Sequence, residues 1–311
     1  MRAVGALPAC PPLQSTTALS NCIGAPAASD VYVEVRVQTV NTANGTYLLP
    51  PVFSATITGN SQGYPVHGCA RYTVRMVQMA ALWAGGTTAD RTLYINANTT
   101  INGLIHSNND ILVHGHSVLS GPIEYVSTVD IDSNTTAPSP TRVAATTMAA
   151  IADVADYRPG GKVANAAAGT YHDMSALCSN RTWKAKASDI PAGIVYANCI
   201  IEVDTSDAPI GATLVAEGDL VIKATGLTIT AAPGLPALIS NATDATAINE
   251  KGGSGVTING SVQALRGGAY MATTGDVISC GIYAATTITI NSNSSTVNSC
   301  AMPTTTLRLS G

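Results

Sequence analysis

The stretch that decides the fold is a series of short β-branched segments, each followed by a turn. It reads Thr213-Leu214-Val215-Ala216-Glu217-Gly218-Asp219-Leu220-Val221-Ile222, and the pattern returns in Val256-Thr257-Ile258-Asn259-Gly260-Ser261-Val262 and in Ile288-Thr289-Ile290-Asn291. Runs of this length are typical of strands, and the Gly, Asn, Asp or Ser that follows each one marks a turn. A single strand cannot bury its apolar face alone. Repetition at near-constant spacing therefore predicts stacked strands, that is, a β-solenoid.

The composition favours a thin core. Only 11% of the residues are charged, and the chain contains a single Phe and two Trp. A round core needs large side chains at its centre, whereas a core one side chain deep can be built from Ile, Val, Leu and Ala. The predicted fold is all-β, a right-handed parallel β-helix. A sandwich or jelly roll is the alternative, but its tight hairpins are not apparent, because Asn102-Gly103 and Asn259-Gly260 lie within strand-like runs.

Composition and periodicity divide the chain into three parts. Residues 1–28, rich in Pro, Ala, Ser and Thr, predict an irregular N-terminal arm. Residues 29–90 predict a small β-rich unit, since valines alternate with other residues over 31–37. Residues 91–311 predict the solenoid, interrupted by a loop and helix insertion at about 133–192.

A helix is predicted inside this insertion, over residues 141–157. Ser139 before Pro140 has the pattern of an N-cap followed by a first-turn proline, and apolar residues then fall on one helical face. Pro159-Gly160-Gly161 would end it.

Charge and hydropathy exclude two classes of partner. The formal net charge is −4 and Lys and Arg form no cluster, so nucleic acid is not an expected partner. No apolar run approaches the ~18 residues of a spanning helix, so no membrane span is predicted in this chain.

The seven cysteines suggest local disulfides. Near neighbours in sequence form three candidate pairs, Cys10 with Cys22, Cys178 with Cys199 and Cys280 with Cys300, and leave Cys69 over. Each bridge would stabilise the fold by ~3 kcal/mol through loop closure. Buried reduced thiols are the alternative. Disulfides indicate an oxidising compartment, so we expect an extracellular or cell-surface location.

One group of residues was considered as a metal site. His114 and His116 would share one face of a strand, and Asp110 is close in sequence. Gly115 between the histidines indicates a turn, which favours solvated side chains instead. We therefore predict no metal and no cofactor.

A pair of carboxylates raises an enzymatic alternative. Asp130-Ile131-Asp132 places two acids on one side of a strand, and paired carboxylates can hydrolyse glycosidic bonds. A pectin hydrolase with this fold would also show Gly-His-Gly and Arg-Ile-Lys, whereas this chain has His114-Gly115-His116 and no Arg-Ile-Lys. A polysaccharide lyase or hydrolase is thus the least favoured hypothesis, and we predict no enzymatic activity.

Several phrases of the sequence resemble bacterial pilus-assembly surface proteins of the TadG-like and PilX-like kind. The similar segments are residues 100–110, which read Thr-Ile-Asn-Gly-Leu-Ile-His-Ser-Asn-Asn-Asp, and residues 155–161, 191–196, 213–219 and 281–284. The resemblance implies an exported, pilus-associated β-helix protein without catalytic residues. Such proteins begin with a hydrophobic pilin-like helix, which is not seen in this sequence.

Together these observations predict an extracellular structural protein, a pilus-associated or filament-forming subunit that associates with itself or with pilus components. Solenoid ends expose unpaired strand edges, which can support head-to-tail assembly. The arm of residues 1–28 or the last strand, Leu307-Arg308-Leu309, could be donated to a neighbour. The alternative is an adhesin that binds surface glycans through one solenoid face.

Overall fold

The computed structural model describes residues 31–310 except 43–44, 58–65, 89, 97, 147–151, 168 and 273, and it describes side chains between residues 79 and 300. The chain divides into two compact units. One contains the chain up to Val77 together with the segment from Ala301, and the other comprises Gln78–Cys300. The predicted N-terminal arm lies outside the described residues.

The smaller unit contains a four-stranded sheet in the order β1-β2-β3-β29. Its strands are Val31–Thr42 (β1), Gly45–Ile57 (β2), Val66–Gln78 (β3) and Ala301–Ser310 (β29). The pairs β1–β2 and β2–β3 are antiparallel. The assembly candidates Leu307, Arg308 and Leu309 lie in β29, one of the two edge strands of this four-stranded sheet.

The larger unit is a solenoid with three parallel sheets. Sheet 1 has ten strands, in stacking order Tyr171–Asp173 (β13), Gly193–Ala197 (β15), Ala212–Ala216 (β17), Leu238–Ser240 (β20), Val262–Ala264 (β23), Ile282–Ala284 (β26), Leu82–Ala84 (β4), Ile105–Ser107 (β7), Ile123–Tyr125 (β10) and Thr141–Arg142 (β12). Sheet 2 has nine: Thr182–Lys186 (β14), Ile200–Thr205 (β16), Leu220–Ile222 (β18), Ile248–Glu250 (β21), Ala269–Met271 (β24), Ile288–Ile290 (β27), Leu93–Asn96 (β5), Ile111–His114 (β8) and Val129–Ile131 (β11). Sheet 3 has six: Thr228–Thr230 (β19), Thr257–Asn259 (β22), Val277–Ile278 (β25), Thr296–Asn298 (β28), Thr100–Asn102 (β6) and Val118–Leu119 (β9). This confirms the predicted fold class, a parallel β-helix with a short helical insertion.

The chain does not run from one end of the solenoid to the other. It begins in the middle, where Leu82 pairs with Ile282 on one side and with Ile105 on the other. It winds to one end at β12, crosses to the opposite end at β13, and winds back to the middle at β28. The solenoid is therefore built from two sequence segments that meet at its centre. The predicted solenoid start at residue 91 falls after β4, which forms one rung of sheet 1.

The core is a stack of inward-facing aliphatic side chains. In sheet 3 one column passes through Ile229, Ile258, Ile278, Val297, Ile101 and Leu119, all of them buried. Each such side chain stabilises the fold by roughly 1.5–3 kcal/mol. The prediction of a core one side chain deep agrees with this arrangement.

The described parts of the crossover segment, residues 143–146 and 152–167, include side chains that pack on part of the outer face of sheet 1. It contains two short helices, Val154–Tyr157 (α1) and Lys162–Ala166 (α2), and α1 is capped by the Asp153 carboxylate. Val154 and Tyr157 pack on a second apolar cluster that is formed by outward-facing side chains of sheet 1, namely Ile194, Tyr196, Val215 and Ile239. Sheet 1 is thus buried on both faces over this region, while the crossover returns the chain to the other end.

The helix predicted over residues 141–157 is wrong at its start. Thr141 and Arg142 instead pair with Glu124 and Tyr125 as the last rung of sheet 1, so their backbone groups bond to a neighbouring strand. Ser139 therefore does not cap a helix. Two short 3-10 helices, Ser175–Leu177 and Ala187–Asp189, lie in the turns of the first coil after the crossover.

Candidate functional site

A hydrogen-bonded carboxylate fixes the crossover segment to the solenoid. The Arg158 guanidinium donates to both oxygens of Glu217 at 2.6 and 3.1 Å, and the Tyr196 hydroxyl and the Asn241 amide donate at 3.0 and 2.9 Å. The hydrogen bond from Arg158 lowers the pKa of Glu217, and burial raises the pKa of Tyr196 to about 12. Four donors occupy this carboxylate, so the cluster acts as a clamp.

A second contact holds the start of the crossover. His106 is buried and stacks on Trp83, with ring centroids 5.4 Å apart. Its Nδ1 lies 3.0 Å from Glu124 Oε2, and its Nε2 lies 3.0 Å from Asn108 Oδ1 and 3.1 Å from Thr146 Oγ1. The backbone N–H of Thr146 also donates to Asn108. The sequence analysis did not identify this role of His106.

The metal candidates are not brought together. The Asp110 carboxylate accepts the backbone N–H groups of Arg91 and Thr92 at 2.9 and 2.7 Å. His114 faces a different carboxylate, Asp132, at 3.4 Å, and the backbone N–H of His116 donates to Asn98. Among the described side chains, no group of three or more His, Cys, Asp or Glu could hold a metal ion.

Two of the predicted disulfides are present. Cys178 is bonded to Cys199, and Cys280 is bonded to Cys300. The first joins a turn of the first coil after the crossover to the coil above it, and the second lies where the solenoid unit ends. Cys10 and Cys22 lie outside the described residues, and for Cys69, in β3, only the backbone is described.

Sheet 3 presents an uncharged outer face. One outward column contains Thr228, Thr257, Val277, Thr296, Thr100 and Val118, and Thr230, Asn259, Asn298 and Asn102 lie in the next. Polar side chains of this face bond along the solenoid axis: Asn102 donates to Asn298 at 2.8 Å and Asn259 to Thr230 at 3.2 Å. The result is a ladder of hydroxyl, amide and methyl groups.

Partly buried apolar side chains lie at both ends of the solenoid. We call residues 123–142 the upper end and residues 171–190 the lower end. Of the eight partly buried hydrophobic residues that pack on the main core, six lie at these ends: Tyr125, Val129, Ile131 and Ala137 at the upper end, and Met174 and Cys178 at the lower end. Leu177, also at the lower end, is 53% exposed.

On sheet 2, the charged side chains at the two ends have opposite signs: acidic at the upper end and basic at the lower end. The predicted carboxylate pair lies on the last rung, where Asp130 is exposed and Asp132 accepts the Gly115 N–H at 3.0 Å. They stand at an edge of the sheet, beside an apolar end layer. At the opposite end, the exposed Lys184 and Lys186 belong to β14, and Lys184 lies 3.8 Å from Glu202.

No protein-family model, curated protein or solved structure matches the chain. The fold and the two bridges define the class, a disulfide-containing β-solenoid protein. Within the described part of the chain, no helix combines the length and apolarity needed to cross a bilayer.

Proposed function

We propose that this protein is an extracellular structural subunit whose solenoids associate with one another, as part of a pilus or another surface filament. The observation that carries the proposal is the state of the solenoid ends. Among the described residues no further strand pairs with β11 and β12 or with β13 and β14, and apolar side chains at both ends, such as Val129 and Met174, are only partly buried. Unpaired strand edges of this kind are sites for adding further strands.

The chain path supports the same conclusion. Because the chain enters and leaves the solenoid at its central rungs, neither end rung carries the point where the solenoid segment begins or stops. A head-to-tail contact joins two different ends, so each bound copy leaves a free end for the next copy. When the rotation between copies does not form a closed ring, this contact produces a filament.

The proposed location rests on the disulfides, and the link to pili rests on the resemblance of the sequence. Cys178–Cys199 and Cys280–Cys300 would be maintained in an oxidising environment. Both bridges would also resist unfolding of a protein that bears mechanical load. The proposed role involves no catalysis. If the parent protein were active against acidic polysaccharides and an Asp130→Asn variant lost this activity, the proposed role would be contradicted.

Electron microscopy and sedimentation velocity of the purified chain test the proposal. We expect regular fibres or concentration-dependent oligomers at micromolar protein. Single particles that remain monomeric over the whole range would overturn it.

The uncharged ladder of sheet 3 favours a second candidate, a surface adhesin that binds neutral glycans. Its hydroxyl and amide groups repeat at the rung spacing of ~4.8 Å, which suits a repeating ligand. Binding of the monomer to a glycan array, lost in Thr257→Lys but kept in Lys251→Asp, would support this role over pure scaffolding.

A further inference from the structure

We infer that the upper end of one copy binds the lower end of a second copy in a single rotational register, selected by the charges at the two ends of sheet 2. This inference rests on the self-association proposed above and names its contact surfaces. The occupant of each end is thus a second copy of this chain.

The first argument is the position of the charges along one outward column of sheet 2. Pairing connects Asp130 at the upper end, rung by rung, to Lys184 at the lower end. The column runs through Leu112, Tyr94, Thr289, Tyr270, Asn249, Val221 and Glu202. A copy translated along the axis therefore continues the column with a lysine above an aspartate. Lys186 lies two residues after Lys184 in β14, so both lysines point to the same face.

The second argument concerns distance. Sheet 1 has one rung more than sheet 2, because β12 extends the upper end. A copy that stacks on β12 leaves one rung of sheet 2 empty, so Lys184 of the copy stands two rungs, ~9.6 Å, above Asp130. A lysine has a long flexible stem and can cross such a gap, with its ammonium group in water.

The third argument concerns rotation about the solenoid axis. The lower rung of sheet 1 ends in the exposed Asp173. In the proposed register Lys184 of the second copy, and not Asp173, stands above Asp130. A copy rotated by one face would instead bring Asp173 toward Asp130. Like charges in close contact select against that arrangement.

The apolar end layers supply the remaining contact. Val129 and Ile131 at the upper end would meet Met174 and Leu177 at the lower end, inside the charged rim. An apolar centre with a polar rim is the usual composition of a protein interface.

Charge reversal in both directions tests the inference. We expect Asp130→Lys alone and Lys184→Asp alone each to weaken self-association by at least roughly 10-fold, because each places like charges across the contact. Asp90→Lys and Lys251→Asp are matched controls, since both residues are exposed and lie between the ends. They should assemble like the parent protein in sedimentation velocity.

Mixing gives the decisive result. The Asp130→Lys protein has two basic ends on this column and the Lys184→Asp protein has two acidic ends, so an equimolar mixture should assemble in alternation. The double variant should assemble alone. The parent association should also weaken as salt rises, because the Debye length shortens to ~3 Å at 1 M.

The two levels of the proposal fail differently. If the parent protein assembles and each reversal assembles equally well, or if the mixture shows no rescue, the charge register is refuted while the structural role remains. If the parent protein stays monomeric, the proposed self-association itself is refuted.

Discussion

Ile258 illustrates how each rung stabilises its neighbours at the scale of single residues. It is fully buried in β22, the second strand of sheet 3, and its column neighbours are Ile229 and Ile278. The adjacent Thr257 is half-buried on the outer face. Alternation along a three-residue strand therefore separates a core position from a surface position, which is the pattern visible in the sequence.

Shortening Ile258 tests this assignment. We expect Ile258→Ala to lower the free energy of unfolding by about 3 kcal/mol, since a cavity forms between two rungs that cannot close independently. Thr257→Ala, the control, should change it by less than ~0.5 kcal/mol. Urea titration followed by circular dichroism measures both. Equal effects of the two changes would show that the faces are assigned wrongly.

Asp219 is a residue at which burial opposes ionisation. Its carboxyl lies in the turn before β18, and desolvation, followed by the charge of Asp244, raises its pKa to about 6. The folded state therefore holds the proton more tightly than the unfolded state. The stability associated with this proton is complete below the unfolded-state pKa of ~3.9 and is lost as pH rises through about 6.

Asp219→Asn should therefore stabilise the protein at neutral pH. Because the carboxyl is partly hydrated, we expect a gain of only about 1 kcal/mol at pH 7 and no gain near pH 4. Thermal unfolding across this pH range measures the difference, with Asp90→Asn as an exposed control. A gain that is constant from pH 4 to pH 7 would contradict the shifted ionisation.

At the scale of elements, the crossover segment depends on packing more than on helix propensity. Its two helices contain four and five residues, which is too short for stability in isolation. Tyr157 is 3% exposed, and burial raises its pKa to about 12. Arg158 is half-exposed in its bond to Glu217. Both contacts hold the segment, and the buried aromatic side chain should contribute more to its stability than the partly exposed ion pair.

Two substitutions separate these contributions. Tyr157→Ala should cost about 3 kcal/mol and should expose the segment to trypsin at Lys162, because the aromatic ring is lost from a packed cluster. Arg158→Ala should cost less than ~1 kcal/mol, as expected for a partly exposed ion pair. Trypsin cleavage followed by mass spectrometry gives the rates. If Arg158→Ala opens the segment faster than Tyr157→Ala does, the ion pair is the main anchor.

Much of the element content could be predicted from the sequence. The runs at 213–222 and 256–262 form rungs as expected, and two near-neighbour cysteine pairs form bridges. The length of the helix predicted at 141–157 was overestimated, because a two-residue strand such as β12 leaves no periodic pattern in the sequence. Its pairing with β10 is a tertiary contact, which outweighs local propensity.

At the scale of the whole molecule, the stacking order could not be predicted. Leu82-Trp83-Ala84 and Ile282-Tyr283-Ala284 have the same alternation, and either would fit on many rungs. Their adjacency depends on contacts 200 residues apart in sequence, such as Leu82 with Ile282, and on the Tyr283 hydroxyl that donates to the Ala80 carbonyl at 2.6 Å.

A cysteine pair across the central junction tests this chain path most directly. Thr289 and Tyr94 are register partners on adjacent parallel strands, with outward-facing side chains. Their Cα atoms should be ~4.8 Å apart, within the range that a disulfide accepts. Tyr94→Cys with Leu112→Cys, partners on the next rung, is the positive control. We predict that Thr289→Cys with Tyr94→Cys forms a bridge within one chain, detected by peptide mapping of the monomer. A folded monomer in which only the control pair is bridged would contradict the central meeting of the two segments.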